Sequence, residues 1–331
     1  MNNESTLGSG LKMNADTIVY AGRLKNRKIL LESSSGGAFI ALSDIFINNG
    51  DAVVAAVYDY ETHINKFQLI LDRDLRDKAR GSKYMQSDTG TIFQEAYRWL
   101  EANPDKKLLF IGVGCQADGF RQFAEIKGFR NRVTIVDIIC HGSPSPKIWR
   151  EYAQYLETKK QGKITFLTFK DKRNGWIAPT AYVRINNQEI LLKNYVGMFY
   201  SKCALRPSCH KCKYAVIQRE TDMTIGDFWH IEKTIPDFYD DEGTSLFLIH
   251  TKKGKQLFDV AMKDMDIRKS NTHECWQTNL EKPTEISPKR EKFWKDYKYK
   301  GVKYVIDKYG RDPIYVRAKN KLMNKIKKIL N

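Results

Sequence analysis

Leu108-Leu109-Phe110-Ile111-Gly112-Val113-Gly114-Cys115-Gln116 and, 25 residues further on, Val133-Thr134-Ile135-Val136-Asp137-Ile138-Ile139-Cys140 decide the fold. Each is a short, unbroken apolar run, the pattern of a strand buried on both faces, and each ends in a cysteine loop. The stretch between them, near Gln116 to Lys127, has helical spacing. A strand, helix, strand unit of this length crosses over right-handedly, so Cys115 and Cys140 fall along one edge of a parallel sheet. That edge is where open α/β sheets place their ligands.

The alternation continues in both directions. Upstream, the turn Ser33-Ser34-Ser35-Gly36-Gly37 precedes a helical pattern that stops at Asn49-Gly50. Strands follow at Ala52 to Tyr58 and Phe67 to Leu71, then a helix over Asp88 to Asn103. Downstream, a helix lies near Lys147 to Lys160. These elements predict an α/β fold: a mixed, largely parallel sheet with flanking helices, a cysteine-bearing loop insertion and a C-terminal basic helix. The expected organisation is a loose lead-in (1–15), an N-terminal part carrying the Ser/Gly turn (16–100), a domain carrying the Cys loops (101–265) and a helical basic tail (266–331).

The chain holds 56 Lys/Arg against 39 Asp/Glu in 331 residues, a net charge of +17. Glu281 to Asn331 alone has 16 Lys/Arg against 6 Asp/Glu. Within it, Leu322, Met323, Ile326, Ile329 and Leu330 share one helical face among lysines, the pattern of a helix lying on an anionic membrane surface. A terminal helix packed with its basic face in solvent is the structural alternative. Nucleic acid is disfavoured, because no nucleic-acid motif accompanies the charge. The start of the sequence is polar, and no apolar run approaches the roughly 18 residues of a spanning helix. The expected location is cytoplasmic, with any membrane contact peripheral at the inner face.

Three of the six cysteines fall between Cys203 and Cys212, and Cys209-His210-Lys211-Cys212 is a C-x-x-C knuckle. One turn of backbone at this spacing aims two thiolates at one metal or cluster. Lys202, Arg206, Lys211 and Lys213 surround it and favour thiolates. Zinc, an iron-sulfur cluster and a redox dithiol all remain open. No second C-x-x-C is present, so Cys115 and Cys140 are the natural supply of further ligands. Four thiolates suit a 4Fe-4S cluster; zinc with His141 or His210 is the competitor. At the Ser33–Gly37 turn, hydroxyls and free N–H groups at a helix start suit an anion, although an ordinary helix cap reads the same way. Ser82, Lys83 and Tyr84 offer a cation and hydroxyls to phosphate, although a solvated lysine reads the same way.

Taken in order, the runs SSSGGAF (33–39), GSKYMQSD (81–88), GVGCQ (112–116), DIICHGSPSP (137–146), DKRNGW (171–176), RPSCHKC (206–212) and DMTIGDFW (222–229) resemble the coenzyme F420 hydrogenase/dehydrogenase beta-subunit family. The likeness runs from about Arg23 to Phe258 and is to the bacterial branch often associated with polysaccharide biosynthesis.

The resemblance implies an iron-sulfur flavoprotein oxidoreductase. Carried over, an FAD would lie against Ser33, Ser34, Ser35, Gly36, Gly37, Ser82, Lys83 and Tyr84. A 4Fe-4S cluster would be held by Cys115, Cys140, Cys209 and Cys212, with Cys203 in reserve and Cys275 structural. Electrons would pass between a reduced carrier (coenzyme F420 or another deazaflavin, NAD(P)H, or a ferredoxin-like electron-donor protein) and an unidentified substrate, with a place in cell-surface glycan assembly implied. The alternative is a non-catalytic or zinc-binding relative that acts as a scaffold in a glycan assembly complex. Two departures lie near the chemistry. Val113-Gly114 stand where the family has Thr-Pro, which predicts a looser turn, and His230 stands where it has Gly.

Overall fold

The computed structural model describes residues 17–311; the lead-in and the basic helical pattern of residues 316–330 lie outside them. The chain runs β1 (Ile18–Leu24), α1 (Arg27–Glu32), α2 (Ala38–Asn48), β2 (Ala52–Asp59), β3 (Ile64–Ile70), α3 (Arg73–Ala79), β4 (Ser87–Asp88) and α4 (Ile92–Ala102). It continues through β5 (Leu108–Val113), α5 (Gly114–Ile126), β6 (Val133–Ile138) and α6 (Pro146–Lys160). A second group, β7 (Ile164–Asp171), β8 (Thr180–Ile185), β9 (Gln188–Leu191) and α7 (Lys193–Tyr200), precedes β10 (Met223–Asp227), α8 (Ile231–Thr234), β11 (Ser245–Ile249), α9 (Lys252–Ala261), β12 (Met265–Ser270) and α10 (Arg290–Tyr309).

Leu108 to Ile111 are all buried because alternate side chains enter different layers. Leu108 and Phe110 pack with Ile92, Ala96 and Leu100 of α4 and Phe120 of α5. Leu109 and Ile111 pack with Ile40, Leu42 and Phe46 of α2 and Phe258 of α9. The result is a sheet covered on both faces. Its nine strands run β12-β1-β11-β10-β6-β5-β2-β3-β4. The central strands β2, β5, β6 and β10 are mutually parallel, as the alternation predicts. Antiparallel strands extend both sides: β3 pairs with β2, and β11 joins β10 to β1. Strands from before and after residue 100 thus lie in one continuous sheet.

A three-stranded sheet, β7-β8-β9, stands apart and builds its own core with α6, α7 and α10 around Trp149, Tyr195 and Phe293. Helix starts follow local chemistry. Asp72 accepts the Leu75 N–H at 2.8 Å ahead of α3, and Thr251 accepts the Gly254 N–H at 3.1 Å ahead of α9. Pro146 opens α6, where a missing N–H costs nothing. Among the described residues no helix is long and apolar enough to cross a membrane.

Candidate functional site

Because β5, β6 and β10 are parallel neighbours, the loops after Val113, Ile138 and Asp227 leave the sheet along one edge. Together with the Ser33–Gly37 turn and the 80–87 loop they enclose a cavity of about 550 Å³. Its wall includes Ser33, Ser34, Ser35, Gly37, Ser82, Lys83 and Tyr84, so the two stretches expected to face one ligand do line one space. They are also bonded to each other, since Ser34 Oγ accepts the Ser82 N–H at 2.8 Å.

Several of these residues do different work from that expected. Ser33 Oγ donates to Ile29 O at 2.7 Å and Ser35 Oγ donates to Thr244 O at 2.8 Å, so both hydroxyl protons are spent within the protein. Gly36 is required by packing: a Cβ there would stand 2.2 Å from Gly22 O. Gly37 takes a left-handed φ of 86° to turn into α2. Lys83 Nζ donates to the carbonyls of Ala79, Arg80 and Gly81 at 2.5, 3.2 and 3.1 Å, holding the end of α3, while burial pushes its pKa down to about 7.

Aromatic rings form much of the remaining wall. Tyr84 stacks between Phe169 and Phe199, with centroids 5.1 and 4.4 Å away, and Phe39, Phe67, Tyr200, Trp229 and Trp276 also line the space. Asn65 Oδ1, Gln86 Oε1 and His141 Nδ1 are buried without hydrogen-bond partners, and all three residues line the cavity. Burial lowers the His141 pKa to about 4, so its imidazole is neutral at pH 7. Sequence reasoning missed Lys170, which sends its ammonium to both oxygens of Asp227 at 2.7 and 2.6 Å. A second cavity, of about 1030 Å³, also has Arg80, Gly81, Ser82, Lys83 and Lys170 in its wall.

The cysteines separate into two kinds. Cys115 is exposed, whereas Cys140, Cys209 and Cys212 are half-buried. Partial desolvation, then Cys212 and Cys209, raises the Cys115 pKa. Burial pushes the Cys140 thiol up to about 12, and the neighbouring Cys209, Cys115 and Cys212 add to it. These four thiols therefore gather in one neighbourhood. Gly142 N–H donates to Cys140 Sγ at 3.3 Å, and Ser143 N–H donates to Cys209 Sγ at 3.4 Å. Cys140, Gly142 and Ser143 line the cavity, so the thiol group and the cavity share a wall. Cys203 is fully buried in the second core with its Sγ 3.3 Å from Ser287 Oγ, and Cys275 is buried beside Trp176 and Phe228. Among the described residues no three or more His, Cys, Asp or Glu converge as a ready-made ion site.

The family model for the C-terminal part of the coenzyme F420 hydrogenase/dehydrogenase beta subunit matches residues 105–274. The chain belongs to this family. Membership gives it an oxidoreductase-type role. A chain of the F420-reducing [NiFe] hydrogenase complex from Methanosarcina barkeri, seen in a xenon derivative, shares the fold at 19% identity, with a TM-score of 0.51 over 88% of this chain and 89% of that chain. No curated protein sequence matches.

The two departures from the family pattern have structural settings. Gly114 opens α5, and a Cβ there would meet the Tyr214 Cβ at 2.9 Å, so a close contact rather than a loose turn selects glycine. His230 holds φ at 69°, a region that favours glycine, and lines the cavity.

Proposed function

We propose that the chain is an iron-sulfur flavoprotein oxidoreductase that relays electrons between a reduced carrier and a substrate in the cavity. The observation that carries this reading is the shared wall at Cys140–Ser143, which sets four gathered thiols against an aromatic-lined cavity. When bound, a flavin handles electrons in pairs and an iron-sulfur cluster handles them singly, so adjacency joins the two kinds of chemistry.

Cys115, Cys140, Cys209 and Cys212 would hold the cluster. The N–H groups aimed at Cys140 Sγ and Cys209 Sγ support this, because such donors stabilise thiolate charge. A single zinc would draw its ligands to about 2.3 Å from one point, whereas a four-iron cluster spreads them over four metal atoms. The aromatic wall and the unpartnered Asn65, Gln86 and His141 atoms suit a planar heteroaromatic ring with donors and acceptors on its rim. Tyr84, stacked between two rings, fixes that wall, and its hydroxyl lies 3.2 Å from that of Tyr200, offering an exchangeable proton at the cavity surface. Coenzyme F420, a nicotinamide or a ferredoxin-like protein would supply electrons. Use in cell-surface glycan assembly rests on the family resemblance alone.

Anaerobic purification followed by an absorption spectrum and iron, sulfide, zinc and flavin analysis tests the reading. About four irons per chain with flavin is the expected result; zinc without flavin would overturn it in favour of a scaffold.

A further inference from the structure

From Lys202 to Lys213 the chain carries Lys202, Arg206, Lys211 and Lys213 and no acidic residue. Among the described residues, Lys202, Arg206 and Lys211 have no carboxylate within ion-pair distance. Lys213, 71% exposed, stands 3.8 Å from Asp118, a carboxylate already engaged by Arg121, Gln122 and Tyr214. Three buried or half-buried arginines, by contrast, are spent on partners: Arg76 on Asp44, Arg130 on Asp222 and Arg219 on Asp137. The segment that presents Cys209 and Cys212 thus carries four cations and no acid of its own, with Glu285 acting electrostatically on Lys202 from outside it.

The segment is held in place. Arg206 N–H donates to Ser143 O at 3.0 Å, Cys209 N–H donates to Arg206 O at 3.0 Å, and Arg290 Nη1 donates to the carbonyls of Cys203 and Leu205. His210 Nδ1 meets Thr284 O at 2.8 Å, which ties the segment to the loop ahead of α10. Cys115, exposed, belongs to the same group of thiols. The segment therefore combines positive charge on a fixed backbone with the point where the thiol group reaches the surface.

We propose that this face, centred on Lys202, Arg206 and Lys211, docks an acidic one-electron carrier protein. The proposal rests on the oxidoreductase reading above and names the partner's chemistry. Brief electron-transfer encounters use small interfaces, below about 1,200 Å², and gain their rate from charge steering that can raise association 10- to 1,000-fold and fades with salt. A fixed loop loses little entropy on docking. With a cluster held by Cys115, Cys140, Cys209 and Cys212, the carrier would give up one electron there and leave oxidised; no atom is transferred. A nucleic-acid strand would need a longer basic track with stacking rings along it.

The test uses a small acidic [2Fe-2S] ferredoxin as the immobilised probe, with basic cytochrome c and phosphatidylglycerol vesicles as comparisons. Purified full-length protein should bind the ferredoxin at about 20 mM salt and lose at least about tenfold in affinity by about 500 mM. K202Q/R206Q/K211Q should weaken binding about tenfold and K202E/R206E/K211E should abolish it. Carbodiimide cross-links should map to Lys202, Lys211 and Lys213. Binding that the neutral triple variant leaves intact, cross-links elsewhere, or tighter binding to cytochrome or vesicles would overturn the proposal. Metal and flavin analysis of the same samples keeps the two readings apart. Full iron and flavin without ferredoxin binding defeats the docking face alone; zinc with ferredoxin binding intact defeats the oxidoreductase reading and with it the electron transfer, and leaves only an acidic-protein docking face.

Discussion

Lys170, which lines both cavities, forms a bidentate ion pair with Asp227 in the wall of the first, with Nζ 2.7 and 2.6 Å from the two carboxylate oxygens. Two indoles close it in. Trp176 Nε1 donates to Asp227 Oδ1 at 3.0 Å, Trp229 lies 4.9 Å from Nζ, and the two rings stack at 5.1 Å. With the Lys170 side chain only 3% exposed, neither charge can be left alone cheaply.

K170M should therefore cost about 3–5 kcal/mol, because it strands the Asp227 carboxylate, and D227N should cost a similar amount for the converse reason. K170M/D227N should recover a large part of either loss, since no unpaired charge remains. Urea unfolding of the four proteins measures the cycle. Additive losses would mean that the two residues act independently.

Serine replacements sort the cysteines by role. C115S, C140S, C209S and C212S should each lower iron and sulfide content, because each removes one thiol from the gathered group. C203S and C275S should retain full iron content, because those thiols lie inside apolar clusters. Their cost should appear as about 1–3 kcal/mol of stability, from burying a hydroxyl where a thiol packed. Iron loss in C203S with iron kept in C209S would redraw the ligand set.

How far the sequence foretold this can be read from particular residues. Leu108–Val113 and Val133–Ile138 announced parallel strands because a strand covered on both faces has no polar side, and the edge position of Cys115 and Cys140 followed from crossover handedness. The placing of β1 between β11 and β12 was not legible, because an antiparallel partner more than 200 residues away leaves no local mark. The β7-β8-β9 sheet was hidden for a related reason: besides the flanking α6 and α7, its core needs α10, which comes from far along the chain. Ser33–Ser35, Gly37 and Ser82–Tyr84 line one cavity, but the Ser33, Ser35 and Lys83 side chains are committed to the protein. Lys170 adjoins the DKRNGW run and Asp227 sits in DMTIGDFW, yet nothing in the 57-residue separation couples them.

Lys172 sits behind the Ser33–Gly37 turn and donates to the carbonyls of Leu30, Ser35 and Glu242 at 2.8, 2.6 and 2.5 Å. Three acceptors call for a full ammonium, while burial, with Lys170 nearby, pushes its pKa down to about 7. K172M keeps the stem but orphans three carbonyls. It should destabilise the protein by about 2–4 kcal/mol and weaken flavin affinity more than a distant variant of equal stability cost, because Ser35 is one of the freed carbonyls. Fluorimetric titration with FAD beside a thermal melt checks this; flavin affinity that follows stability alone would remove Lys172 from the site.

His250 sets an acid limit on the fold. Its Nε2 meets Thr224 Oγ1 at 2.8 Å, its Nδ1 is buried without a partner, and burial, followed by the charge of Arg219, lowers its pKa from 6.5 to about 4. The unfolded chain therefore binds a proton more readily than the folded one between those values. Stability from this group is complete above about pH 6.5 and is lost as pH falls toward 4, by at most about 3 kcal/mol. His141, also lowered to about 4, adds in the same direction. H250N keeps a polar side chain that cannot be protonated in this range, so its stability should fall less steeply between pH 6.5 and 4 than that of the wild type. Chemical denaturation at a series of pH values compares the two slopes, and parallel slopes would show that His250 is not the group that charges on unfolding.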